Sequence, residues 1–208
     1  MTLTNLLVAI NVIAYVWEVA TGGPDVDHGY LYGPAVTHYG EWWRIFTAAF
    51  LHGSILHIGF NMVALYQVGN IVEQLYGKVR FSLLYFVSIV GSGLAVLAFN
   101  YSIPTLGASG AIFGLFGALV AVGLRLGKRG RGLIAQVLPI IFINLVFTYA
   151  VPGISAAAHV GGLLTGFFAG LLLFMVPSRR RDAAYAYAFD PAQDPVATIE
   201  QPTNEPPG

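Results

Sequence analysis

The sequence predicts an all-α membrane protein: a polytopic bundle of six transmembrane helices, with a structured interfacial loop between the first two. Three observations point there. First, of 208 residues 56% are hydrophobic and only 10% charged, with a mean hydropathy of +0.70. Soluble domains carry about 25% charged residues. Second, apolar runs of about 20 residues recur, each long enough to cross a hydrocarbon layer of about 30 Å. Third, nine of the ten Lys and Arg residues follow the even-numbered runs: Lys78 and Arg80, then Arg125, Lys128, Arg129 and Arg131, then Arg179, Arg180 and Arg181. In a six-span chain these positions share one side, and the positive-inside rule puts that side, with both termini, in the cytoplasm.

The first span is read at Leu3–Ala20. No basic region precedes it and "WEVATGG" is a poor cleavage site, so a retained helix is expected rather than a signal peptide. The loop that follows, "TGGPDVDHGYLYGPAVTHYGEWWRIFTAAFLHG", is rich in Gly, Pro and aromatic residues and lacks a charge run. Such a composition suits a folded segment at the membrane interface, where Trp and Tyr settle. Five more spans are read at Ile55–Tyr76, Phe81–Asn100, Ser109–Leu126, Leu133–Val151 and Ala156–Val176. Residues 1–177 are thus expected to form the membrane domain, and 178–208, Pro-rich and polar, a disordered cytoplasmic tail.

Several function classes are excluded or weakened. Zero cysteines rule out disulfides, thiol nucleophiles and cysteine-ligated metals. A formal net charge of zero gives no electrostatic case for nucleic acid. His28 and His38 lie in the loop and read as solvated bystanders, Asn144 in span five as a partner to a neighbouring helix, and Arg179–Arg181 as a topology signal with a secondary role at lipid headgroups.

Spans two, four and six all descend from the outer side, and each opens with polar residues: "LHGSILHIGFN", "GASGAIFG" and "AAAHVGGLLTG". Ser109 lies 16 positions before Arg125, so about 24 Å above it at roughly 1.5 Å per residue. Asn61 is 17 residues before Lys78, and His159 is 17 before Val176. His57, Asn61, Ser109 and His159 therefore share one level below the outer surface, and polar side chains there are functional candidates. A serine hydroxyl needs a base to become a nucleophile, and histidine is the usual one. His57 and Asn61 stand i, i+4 on one helix face, where both side chains can donate to an oxyanion. The Ser109 N–H, in the first turn of a helix, supplies a third donor. Glu18 and Glu73 fall near span ends, so no carboxylate is read at this level, and the unit is a Ser–His dyad rather than a triad. Gly110, Gly114 and Gly117 stripe span four, and Gly162, Gly166 and Gly170 stripe span six. Stripes of small residues let backbones approach closely. If the two meet, Ser109 and His159 come together.

Each feature alone has a plainer reading. A serine between small residues is usually a packing element, and a membrane histidine is as often structural as functional. His52, His57 and His159 raise a metal site, which the lack of carboxylates and of a His–Glu helix pairing weighs against. No metal or cofactor is expected. A small channel or transporter would spread polar residues through the full thickness of the bundle or pair broken helices across a repeat. Here they keep to one level.

Taken in order, the motifs resemble the rhomboid-family intramembrane serine proteases, in their minimal six-helix bacterial-type form. "GASG" is similar to the family's Gly-x-Ser-Gly, "AHVGGLLTG" to its Ala-His-x-x-Gly-x-x-x-Gly, "HIGFN" to its His-x-x-x-Asn and "WWR" to its Trp-Arg element. His52 fits as well, and Glu73 as a structural residue. The resemblance spans Leu3 to about Val176. It implies Ser109 as nucleophile, His159 as general base, and His57, Asn61 and the Ser109 N–H as oxyanion hole, with Gly107 shaping the loop into it. It implies that Trp43 and Arg44 brace the first loop and that Phe113 packs on the His159 ring, where some members carry tyrosine. The implied reaction is slow hydrolysis of peptide bonds in locally unwound transmembrane segments of other proteins, at a site opening to the outside of a bacterial plasma membrane. A catalytically silent helix-binding relative is the competing implication. The sequence leaves the oligomeric state open.

Overall fold

The computed structural model describes residues 1–22 and 29–174. The tail read after Pro177, the Arg179–Arg181 cluster and His28 lie outside the described residues. Within them are eight α-helices and no strand. They are α1 (Leu3–Ala20), α2 (Gly33–Tyr39), α3 (Arg44–Thr47), α4 (Ile55–Tyr76), α5 (Lys78–Phe99), α6 (Ser109–Arg125), α7 (Arg131–Ala150) and α8 (Ala156–Leu173). Helices α1, α4, α5, α7 and α8 are long and apolar enough to span a bilayer. The sixth, α6, has 17 residues, roughly 25 Å of helix. Thirteen of those residues are buried, because the other helices rather than lipid surround it.

Helix ends follow local chemistry. Ser54 caps α4 by accepting from the His57 N–H, and Ser155 caps α8 by accepting from the Ala158 N–H. The N-terminus of α1 is held from another helix. Glu73 of α4 accepts from the Leu3 N–H at 2.9 Å, the Thr4 N–H at 2.8 Å and the Thr4 hydroxyl at 2.9 Å. A carboxylate on orphan N–H groups at the positive end of a helix is favourable.

The core forms where glycine stripes meet. A Cβ on Gly162 would overlap the Gly110 carbonyl, one on Gly166 the Gly114 carbonyl, and one on Gly117 the Leu163 carbonyl. Backbone therefore packs directly on backbone between α6 and α8, as small residues permit in a membrane. Lower in the same seam the Tyr76 hydroxyl lies 3.1 Å from the Ala118 carbonyl and 3.2 Å from the Gly170 carbonyl, linking α4, α6 and α8. Outward faces are apolar, with Phe60, Phe142 and Leu172 largely exposed. Apolar surface on this scale belongs against lipid.

From Gly29 on, the loop after α1 is folded, as its composition predicts. Leu31 and Thr105 form an antiparallel bridge, the Gly33 N–H donates to the Tyr101 carbonyl at 2.9 Å, and the Thr37 and Tyr101 hydroxyls are bonded to each other. The Gly107 N–H donates to the Ala48 carbonyl at 2.8 Å. This loop thus fixes the segment that delivers the chain to Ser109.

Candidate active site

Ser109 opens α6 and His159 sits on the first turn of α8. Gly110 and Gly162 lie in contact next to them, and that close approach sets the two side chains within reach. His159 Nε2 is 2.8 Å from Ser109 Oγ. The imidazole is 7% exposed and stacks on Phe113, with ring centroids 4.2 Å apart and planes 14° apart. Phe113 projects from α6 one turn beyond Ser109, which is where the i, i+4 spacing puts it.

His57 and Asn61 come to the same place. Both lie beside Gly107, since a Cβ added there would fall 2.7 Å from His57 Nε2 and 3.7 Å from Asn61 Nδ2. Gly107 has φ +118°, a conformation that side-chain-bearing residues rarely adopt. The turn and the close approach both require glycine. Asn61 is 6% exposed and its Nδ2 has no hydrogen-bond partner. Leaving a buried amide donor unpaired costs free energy, so Asn61 holds a donor with its hydrogen-bonding capacity unused. The Ser109 N–H lies in the first turn of α6, where Ala108 provides no side-chain cap.

The Trp-Arg pair does more than anchor at the interface. Arg44 is 5% exposed, and it donates from Nη1 to the Tyr30 carbonyl at 2.9 Å and from Nε to Glu41 at 2.5 Å. Its guanidinium lies 4.9 Å from the centroid of the Trp43 ring. Trp42 and Trp43 are about half exposed. Arg44 holds the first loop together from within while the indoles face outward.

Three readings from the sequence need correction or addition. Glu18, near the end of α1, is buried and accepts from the His52 N–H at 3.1 Å. The His52 ring packs edge-on against His57 with centroids 5.0 Å apart. Burial first, and His57 beside it second, hold the His52 imidazole down at about 4. The linear sequence hid this, since Glu18 and His52 are 34 positions apart. Asn144 bonds its own helix rather than a neighbour, donating to the Ile140 carbonyl at 2.8 Å. The residue that reasoning from descending spans missed is Thr148, on the ascending α7. Its hydroxyl lies 2.6 Å from His159 Nδ1. A hydroxyl near the outer end of a mostly apolar span was the available signal.

Known proteins resemble this chain over most of its length. The family model for the Rhomboid domain matches residues 39–176. The chain is 38% identical over 177 residues to Rhomboid protease GluP of Bacillus subtilis, covering 83% of this chain and 35% of that protein. It is 37% identical over 145 residues to RHOMBOID-like protein 1 of Arabidopsis thaliana, covering 68% and 37%. It is 31% identical over 189 residues to Rhomboid-like protease 1 of Toxoplasma gondii, covering 82% and 64%. It thus spans little more than a third of the length of the first two relatives. The long apolar helices, the motif-bearing seam and this family match make the chain an integral multi-pass membrane protein of the rhomboid family.

Proposed function

We propose that this chain is an intramembrane serine endopeptidase working through a Ser109–His159 pair. The observation that carries the reading is the 2.8 Å approach of His159 Nε2 to Ser109 Oγ across the glycine seam. Relatives named as rhomboid proteases support the reaction class. Oγ attacks the carbonyl carbon of the scissile bond while its proton passes to Nε2. The negative charge that develops on the carbonyl oxygen is met by the His57 side chain, Asn61 Nδ2 and the Ser109 N–H. Nε2 then gives its proton to the departing amine, leaving an ester on Ser109. Water, deprotonated by the same nitrogen, hydrolyses that ester and restores the hydroxyl.

The substrate class follows from the membrane. A transmembrane helix buries its carbonyls in its own hydrogen bonds. Segments rich in Gly, Pro or small residues, which unwind readily, are the expected substrates. Arg125 stands at the opposite end of α6 from Ser109 and is bonded to the Leu171 carbonyl at 2.7 Å, and Lys78 lies near the Met1 carbonyl. The positive-inside rule then opens the site to the outer side and supplies it with water from there.

A fluorophosphonate probe tests the reading. Adduct at Ser109, mapped by mass spectrometry and abolished by His159→Ala, is the expected result. A folded protein that takes no label, although the reagent can reach Ser109, would instead be a silent helix-binding relative.

A further inference from the structure

The dyad has a third member that is not an acid. We propose that Thr148 is a positioning residue that fixes His159 in the tautomer whose Nε2 lone pair faces Ser109. This inference rests on the Ser109–His159 reading above.

Thr148 lies two residues from the C-terminal end of α7 and is 3% exposed. The other buried residues of α7, Leu133, Val137 and Ile141, are all apolar. Thr148 Oγ1 has two close neighbours: the Asn144 carbonyl oxygen at 2.7 Å and His159 Nδ1 at 2.6 Å. The hydroxyl has one proton to give. A carbonyl oxygen can only accept, so two oxygens 2.7 Å apart need that proton between them. The Thr148 proton therefore points to Asn144, as in the usual back-bond of a helical threonine. What remains toward His159 is an oxygen lone pair. Nδ1 must then be the protonated nitrogen, and in a neutral imidazole Nε2 is left as the acceptor. That nitrogen is the one 2.8 Å from Ser109 Oγ.

The consequence is specific. Were Nε2 protonated instead, it would donate to Ser109 Oγ and have no lone pair to take the serine proton. A buried carboxylate performs the same orienting task in Ser–His–Asp sites and also stabilises the imidazolium. A neutral hydroxyl does the first and much less of the second. The orienting group here belongs to α7, so the base is ready only when α7 is packed against α8.

The test uses the full chain in bicelles with three variants. Thr148→Val keeps the shape and removes the oxygen, Thr148→Ser keeps the oxygen, and His159→Ala identifies the ring signals. Histidine 15N spectra read the tautomer directly, while fluorophosphonate labelling and substrate cleavage read reactivity. We expect Nδ1–H in the wild type and in Thr148→Ser. Thr148→Val should gain Nε2–H and label Ser109 about 10- to 100-fold more slowly, as for a buried donor deprived of its acceptor. The loss should fall on kcat, with KM little changed, because the ring does not bind the rest of the substrate. Wild-type protein with Nε2–H would overturn the proposal, whatever the variants do. So would a Thr148→Val protein that keeps Nδ1–H, even if its stability falls. Nδ1–H in a wild type that never labels at Ser109 would uphold the tautomer assignment and sink the protease reading, so the two failures are distinct.

Discussion

Replacing Gly107 with alanine should damage catalysis far more than folding, and the structure says by how much. Two effects act at this position. The backbone sits at φ +118°, and forcing a side-chain-bearing residue there costs about 1–3 kcal/mol. The new methyl would lie 2.7 Å from His57 Nε2, about 0.7 Å inside ordinary van der Waals contact. The imidazole is the free end of a side chain and can yield, so the clash adds little to the folding cost. Yielding, however, moves an oxyanion donor by most of an ångström. Misplacement on that scale, or loss of one oxyanion donor, lowers kcat about 100-fold. Gly22→Ala is the matched control, since Gly22 has φ +112° and nothing within 4 Å of the added Cβ. It carries the strain alone. The assay is cleavage of a model transmembrane substrate in liposomes, with thermal unfolding recorded for both variants. The expected result is a similar loss of stability in the two and a fall in kcat confined to Gly107→Ala. Wild-type kcat in Gly107→Ala would refute the placement of His57 in the oxyanion hole.

Other perturbations separate structure from chemistry. Glu73→Ala removes the acceptor for two backbone N–H groups and a hydroxyl at the start of α1. About 3 kcal/mol of stability should go with it, seen as a lower melting temperature in detergent, with normal labelling of Ser109 in the cold. Phe113→Leu takes away the ring stacked on His159. An interaction of about 1 kcal/mol predicts a several-fold slower labelling rate, and Phe113→Tyr, which keeps the ring face, should restore it. His52 supplies a pH test. Folded, it is held down at about 4; unfolded, it titrates near 6.5. The unfolded chain binds the extra proton between those values, so stability is full above about pH 6.5 and falls as pH drops toward 4. Denaturant unfolding should show about 2–3 kcal/mol less stability at pH 4.5 than at pH 7.5, and His52→Gln should flatten that slope.

The order of residues was enough to fix the solvent, the helices and half of the site. Lipid as solvent forces backbone polar groups into internal hydrogen bonds, so long apolar runs have no option but helix. That is why the spans at Leu3–Ala20 and Ile55–Tyr76 match the observed helices to the residue, while Phe81–Asn100 missed the first three residues of α5 from Lys78 and ran one past its end at Phe99. The glycine stripes announced the close seam that α6 and α8 form, and their meeting accounts for the approach of Ser109 to His159. Whatever depends on which faces meet had to wait for the packed bundle. Sequence spacing ranks residues along one helix but says nothing about a partner on another. Glu18 therefore looked like an end-of-span residue until the first loop brought the His52 N–H to it. Thr148 drew no reading from the sequence, and only the packing of α7 brings it onto His159. The pairing of Ser109 with His159 was legible in the sequence; the group that orients His159 was not, because it is made by a contact between two helices.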